Sequence, residues 1–349
     1  MAATYALGTN LTIAELIRRE DPKGMLADII DVLNEENRIL EDITWIECNS
    51  GTYYEDTRTA SEPAGSERAY DEGVNPEAGV TEKILEPTCM FNALSETDVM
   101  KFQHSPDPDG ARLQEDQFFL KGMTKTFVSR LFAGNRDTDP RQIMGINNRS
   151  LYSTLQTAGS ETEVFDNAGG NASSTSNKTS IYMIQFGEKM VNLIYPRNDA
   201  RGVSSDTLPI KMEDFGKSIQ TDVGGTKKRP VWQTWFSNDF GLFIHDYRCI
   251  KRVVNISTTS IDGVDDFGFS EVPLIRLYNQ LQYGGRNAKF YCNRNIMTQA
   301  MERANEKGNA YFTQEMEGEG PFARPVTRFW GIEMKLVEQI TNDQVYVTT

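Results

Sequence analysis

Histidine is the scarcest chemical resource of this 349-residue chain, with only His104 and His245 present. Imidazole is the side chain that titrates near neutrality, and acid–base or metal chemistry usually recruits it in groups. Two copies are a thin supply. His245, flanked by Ile244, Asp246 and Tyr247, reads as a structural residue in a strand. Cysteine is nearly as sparse: Cys48, Cys89, Cys249 and Cys292 are scattered with no C-x-x-C pair, which speaks against a zinc site or a disulfide framework and for buried free thiols. No apolar run reaches about 18 residues, and no basic stretch leads into an apolar segment at the start, so the expectation is a soluble, unsecreted protein. The sequons at Asn10, Asn148, Asn171, Asn177 and Asn255 then have no glycosylation role.

Catalytic loops are missing as well. There is no G-x-S-x-G, H-E-x-x-H or G-x-G-x-x-G. Phe215-Gly216-Lys217-Ser218 looks like half a phosphate loop, but Lys211 stands where that motif needs its first glycine. Asp107 and Asp109 before Gly110 faintly resemble a calcium loop, yet Pro108 lies between them and the terminal Glu is absent. The expectation is no catalytic, cofactor-binding or metal-binding residue, and no cofactor.

What is present is acid. Against 36 Lys and Arg stand 50 Asp and Glu, a net charge of -14, so gripping a phosphate backbone, which needs clustered cations to release counterions, is disfavoured as a main task. The best basic–aromatic cluster is Lys227, Lys228 and Arg229 beside Trp232 and Trp235. It could stack bases, but two tryptophans packed in a sheet is the stronger reading. At 38% hydrophobic residues the chain has the material for a core.

Thr12 caps a short predicted helix, and Asp21 before Pro22 opens a second. In that second helix Leu26, Ile29, Ile30 and Leu33 make one apolar stripe on an acidic rod that needs a surface to lie on. From Asn49 to Glu86 the chain is acidic and punctuated by glycine; Thr52 to Thr59 and Thr81 to Glu86 read as the arms of an extended hairpin with no core of its own. Ser95 to Gln103 reads as a helix ended by Pro106 and Pro108. Leu113 through Phe132 reads as the longest helix, with Phe119, Met123, Phe127, Leu131 and Phe132 on one side and Gly134-Asn135 as a left-handed stop. Gly159 to Thr179 is a small-residue surface tract. Ser180 to Asn198 and Arg229 to Ile256 each read as an antiparallel hairpin, turning at Gly187 and Gly241. Leu274 to Gln282 and Asn293 to Asn305 read as helices, and Ala288 to Cys292, Gly331 to Val337 and Gln344 to Val347 as strands. The mixture is α+β.

Several of these stretches resemble one family. Leu11 to Asn49, with its Pro-Gly helix pair running into an acidic, Trp-containing link, resembles the N-terminal arm of major capsid proteins of the Hong Kong 97 fold, in the branch typified by the short-tailed phage epsilon-fifteen. Thr52 to Val74 resembles that family's extended loop, Leu113 to Asn135 its spine helix, and Asp139 to Arg149 its link into the axial domain. SIYMIQFGEKMVNLIYPRN and WFSNDFGLFIHDYRCIKRVVNI are similar to two strand-rich family signatures, and Phe329 to Ile340 to the closing element. The resemblance implies an N-terminal arm over 1–48, an extended loop over 49–90, a peripheral domain with the spine helix over 91–143, an axial domain interleaved with peripheral strands over 144–310, and closing peripheral strands over 311–349. It also implies self-assembly into hexamers and pentamers of an icosahedral head around double-stranded DNA, with no sequence-specific DNA contact and no membrane. Scaffolding, portal and decoration proteins are the further partners implied. Some relatives weld neighbouring subunits through a loop lysine, but no lysine occurs here between Lys23 and Lys83, so locking is expected to be non-covalent. The alternatives on residues alone are an encapsulin-like compartment shell and an adaptor or binding protein working through Trp232 and Trp235; an enzyme ranks behind both.

Overall fold

The structure is a computed structural model. It describes residues 37–101, 107–155, 163–168, 177–197, 210–221, 228–258, 268–305, 311–317 and 324–347. The helices expected before residue 36, with their apolar stripe, lie outside that set. The chain divides into two compact units. The described residues of the smaller fall within Asn92–Lys125 and Ile210–Asn238, and those of the larger within Glu36–Phe91, Thr126–Pro209 and Asp239–Thr349.

The larger unit is built on a seven-stranded sheet in the order β12-β13-β14-β11-β6-β10-β5. Its centre is β6 (Lys178–Gln185) with β10 (Ile250–Ser257) and β11 (Ala288–Cys292) on either side. Every residue of β6 and β10 is buried, and side chains alternate between two cores. Ile181 and Met183 face a cluster containing α3 (Glu271–Tyr278) and α4 (Arg294–Asn305) through Leu274, Leu277, Ile296 and Ala300. Tyr182 and Ile184 face another containing Phe127, Val128, Leu131 and Phe132. A strand buried on both faces needs apolar residues in succession rather than alternation, which is why SIYMIQF carries no polar face. β12 (Phe312–Glu317), β13 (Arg324–Phe329) and β14 (Ile332–Leu336) extend the sheet on one side, with β14 parallel to β11. β5 (Val164–Asp166) closes it on the other, within the tract expected to be a loop.

The apolar runs expected as strands over 180–198 and 229–256 are strands; their expected pairings are not what the structure has. β6 and β7 (Val191–Tyr195) do not form a hairpin about Gly187. They belong to different sheets, and β7 pairs with β1 (Trp45–Glu47) and with the end of β9 (Lys228–Ile244). Nor does the chain turn at Gly241. β9 runs straight through it, and β10 lies in the other sheet. The glycine is there for proximity: a Cβ at 241 would stand 2.9 Å from the carbonyl oxygen of Pro87 and 2.9 Å from Cγ1 of Ile194. A glycine in a strand marks a close approach as readily as a turn, and sequence does not separate the two.

The long helix, α1, spans Pro108–Ala133. Pro108 does not interrupt it but occupies its first turn, where a missing N–H costs nothing. Asp107 caps it, its carboxylate accepting from Gly110 N–H at 3.0 Å, which accounts for the Asp-Pro-Asp-Gly run without calcium. The predicted helix at Ser95 is instead the end of β4 (Cys89–Asp98), followed by a single 3₁₀ turn. At the other end of α1, Gly134 does not take a left-handed conformation. A Cβ there would stand 2.5 Å from Arg130 O and 2.7 Å from Ile143 O, so it permits a tight return of the chain, closed by Gly145 N–H to Gly134 O at 2.9 Å. α2, a single turn at Ser150–Ser153, follows. The helix expected at Leu274 to Gln282 starts earlier, at Glu271 behind the cap Ser270. Gln344 makes only an isolated bridge to Lys178 where a strand was expected.

In the smaller unit, β8 (Lys211–Thr221) pairs antiparallel with the first half of β9. The α1 residues of that unit lie against this pair through Phe119 on Phe236 and through Arg112, which donates to Asp214 and to Thr234.

Candidate functional site

β2 (Tyr53–Ser61) and β3 (Val80–Pro87) form a two-stranded finger. Its residues are β-branched, aromatic or charged, and they pair in register from Tyr53 opposite Pro87 to Thr59 opposite Thr81. A lone hairpin has no core to hold it; no residue of this one is buried, and the half-buried ones are mostly at the root end of the two strands. Residues 62–79 beyond it are exposed throughout, Tyr70 fully so. Charge pairs brace it: Arg58 donates twice to Glu82 directly across the ladder, at 2.9 and 3.0 Å, and Lys83 meets Glu55 at 2.5 Å. Each is a surface pair worth about 0–1 kcal/mol.

Among the described residues, the apolar contact of the finger with the rest of its unit is at the root. Tyr54 and Ile84 pack on a small cluster of Cys48, Ile194 and Phe243, with Tyr54 and Phe243 ring centroids 4.6 Å apart. Asn49 is joined to Glu55 by reciprocal bonds, 2.6 Å to its carbonyl and 3.0 Å from its N–H. Polar contacts then fix the angle of the finger. Glu86 accepts from Arg149 at 2.6 Å, with Arg136 at 3.6 Å, and Arg149 also donates to the carbonyl of Leu242 at 3.0 Å. Asp56 lies 2.8 Å from Nδ1 of His245. Burial alone would raise the Asp56 pKa, but the hydrogen bonds from His245 and from Thr57 N–H outweigh it and hold the carboxyl below its usual range. Arg58 sits 5.6 Å over the Tyr247 ring and lines a cavity of about 650 Å³ with Glu82, Glu163, Arg248 and Lys251.

The residues singled out in the sequence are dispersed. His245 belongs to the finger's root. Trp232 and Trp235 are half-buried in β9, and the Trp232 ring has the Arg112 guanidinium and the Lys217 amine each 4.8 Å from its centroid. Cations already cover the ring on which a base would stack. Arg229 is near Glu96 at 3.7 Å; Lys227 lies outside the described residues. Gly216 forms a bulge in β8 with φ +70, its N–H bonded to Asp214. Burial pushes the thiols of Cys48 and Cys89 up to about 11 and of Cys249 and Cys292 up to about 12, out of nucleophilic range. Among the described residues no group of His, Cys, Asp and Glu is gathered as a metal centre requires, and no helix is long and apolar enough to cross a membrane. Two of the sequon asparagines have structural work: Asn148 donates to the carbonyls of Ala133 and Gly134, and Asn255, buried at a bulge with φ 63, bonds Asp166 and Val347. Glu86, Arg149 and Asp56 were not singled out in the sequence, where each is one charge among 86.

The family model described as major capsid protein GP7 matches residues 21–348. Among solved structures the chain is similar to the capsid of bacteriophage Epsilon15, with 24% identity, all of both chains covered and a TM-score of 0.71; at that identity the likeness establishes the fold. The capsid of bacteriophage JBD30 matches at 11% identity over 95% of this chain and 99% of that one, with a TM-score of 0.48. The encapsulin complex of Synechococcus elongatus matches at 9% identity over 74% of this chain and 94% of that one, with a TM-score of 0.40. No curated protein matches the chain.

Proposed function

The chain belongs to the major capsid protein GP7 family and carries the Hong Kong 97-like capsid fold, a structural component of the virion shell; from that premise we propose that copies of it assemble as hexamers and pentamers into an icosahedral head around the phage genome, without catalysing a reaction. The observation that carries this reading is the finger. A nine- and an eight-residue strand with no core of its own, anchored at the root and exposed from residue 62 to residue 79 beyond it, is an element that a neighbouring copy completes: association then buries what folding leaves exposed.

The division into an arm over 1–48, an extended loop over 49–90, a peripheral domain over 91–143 and an axial domain over 144–310 belongs to the same proposal. The closing strands over 311–349 are assigned to the peripheral domain in the same proposal. No residue is assigned a catalytic, cofactor or metal role. The net charge of -14 suits a container that must not grip packed DNA. Scaffolding, portal and decoration proteins are the partners such a shell takes. The 23-to-83 lysine gap supports non-covalent locking.

Electron microscopy of the purified chain, expressed with and without its phage's other head proteins, tests the reading. Closed particles of uniform size are expected; a protein that remains monomeric at every concentration and in both settings refutes it. Mature particles boiled in detergent should run as a single band of about 39 kDa by mass, and a ladder of covalent multimers would overturn the non-covalent locking.

A further inference from the structure

We infer that Asp56 and His245 form a proton-responsive latch at the root of the finger, closed while Asp56 is ionised and released when it takes up a proton. The inference rests on contacts within one copy, so it stands or falls independently of the shell reading.

Three observations converge on the pair. First, the finger has few holdfasts. Beyond Tyr54 and Ile84 packed on the Phe243 cluster, its described side-chain contacts with the rest of its unit include the Glu86–Arg149–Arg136 group on β3, the Asp56–His245 pair on β2, and Arg58 over Tyr247. Second, the two partners differ in exposure. The His245 side chain is 9% exposed, its ring edge-on to Tyr54 and to Phe243 and its backbone N–H bonded to Met190 O; the Asp56 side chain is 47% exposed. The histidine is therefore the socket and the aspartate the part that leaves it. Third, His245 lines a cavity of about 570 Å³ from which water can reach the pair.

The charged and titratable groups around the pair come from every adjoining element: Tyr54 and Arg58 from β2, Glu62 just beyond it, Lys189 from the turn before β7, Asp246, Tyr247 and Arg248 after β9, and Tyr283. Asp246 is committed to Arg248 at 2.8 Å and Tyr283 at 3.1 Å, so it does not substitute for Asp56. Lys189 brings a positive charge near Asp56. Proton uptake by Asp56 removes the carboxylate charge that faces His245 Nδ1 and Lys189, and the root keeps its apolar contact, the Glu86 group and Arg58 over Tyr247. An exposed pair of this kind shifts an opening equilibrium by about fivefold at most, enough for a device that tilts a finger without unfolding it.

The test places a fluorophore at the fully exposed tip in Tyr70→Cys of the full chain, where three native thiols are buried and Cys89 is half-buried. Tip anisotropy is then followed from pH 8 downward in unassembled protein. With Asp56 present, the anisotropy should fall as pH drops through the lower carboxylate range. With Asp56→Asn it should be low at every pH and show no such step. Asp56→Glu should restore the step, and Glu86→Gln should lower the plateau but leave the midpoint in place. Far-ultraviolet dichroism over the same range separates latch release from unfolding. A step of unchanged midpoint in Asp56→Asn, or no step in the chain that retains Asp56 while its dichroism is constant, overturns the inference.

Discussion

Removing Arg149 is the sharpest test of how the finger is rooted. The Arg149 and Glu86 side chains are 16% and 12% exposed and 2.6 Å apart, and the same guanidinium satisfies the carbonyl of Leu242 at 3.0 Å. Arg149→Met keeps the length of the stem but deletes both bonds. A hydrogen bond to a charged group is worth about 1.5–3 kcal/mol and breaking a fully buried pair costs about 3–5. Here Arg136 remains 3.6 Å from the stranded carboxylate, and the pair is not fully dry, so the lower part of the range applies: about 2–3 kcal/mol. Glu86→Gln should cost about 1–2 kcal/mol, because the amide still accepts from Arg149. The double variant should be less destabilised than the sum by about 1 kcal/mol or more. Urea unfolding of unassembled protein, with the slope compared between variants, provides the three differences. Strict additivity, or a cost for Arg149→Met under about 0.5 kcal/mol, would show that the pair does not anchor the finger.

Gly241→Ala puts a methyl 2.9 Å from a backbone oxygen that cannot move aside, and should lower the unfolding midpoint by an amount equivalent to about 1–3 kcal/mol, whereas Gly73→Ala in the exposed tip should be near neutral by the same measurement. Arg252, 3% exposed, donates to Ser180, to Tyr152 O and to Gln344; Arg252→Ala should cost about 3–5 kcal/mol and leave little folded protein on a gel-filtration column. Asp56, Asp246 and Glu333 have pKa values lowered in the fold, with burial opposed in each case by hydrogen bonds and nearby cations. Groups depressed on folding stabilise above their unfolded pKa and lose that contribution as pH falls through the folded value. Thermal scans should therefore show stability declining below about pH 4. Lys335 is the opposite case: burial would lower its pKa, but bonds to Asp42 and Glu41 raise it, so its contribution should persist up to the lysine range and be lost above it.

Elements whose signal is local were legible in the residues. The α1 helix showed its aromatic face, the finger showed alternation without a core, and β6, β7, β10 and β11 showed runs of Val, Ile and aromatics. Local chemistry was misread where one residue type serves two ends. Pro108 starts a helix rather than breaking one, and Gly134 and Gly241 buy closeness, not a turn. For Gly241 the deciding atom belongs to a distant part of the chain, Pro87 O; for Gly134 the crowding comes from Arg130 O and from Ile143 O on the returning chain.

The sequence by itself determined that the chain folds as α+β, that it lacks the histidine and cysteine supply of most catalytic centres, and, through its likeness to the capsid family, the class to which it belongs. Only the tertiary structure decided which strands share a sheet, that β6 and β7 part company, and that Glu86 and Asp56 meet Arg149 and His245 across 63 and 189 residues. The reason is physical. Burial and periodicity are properties of a segment, whereas pairing and charge partnership are settled by chain returns whose geometry no short stretch of residues encodes.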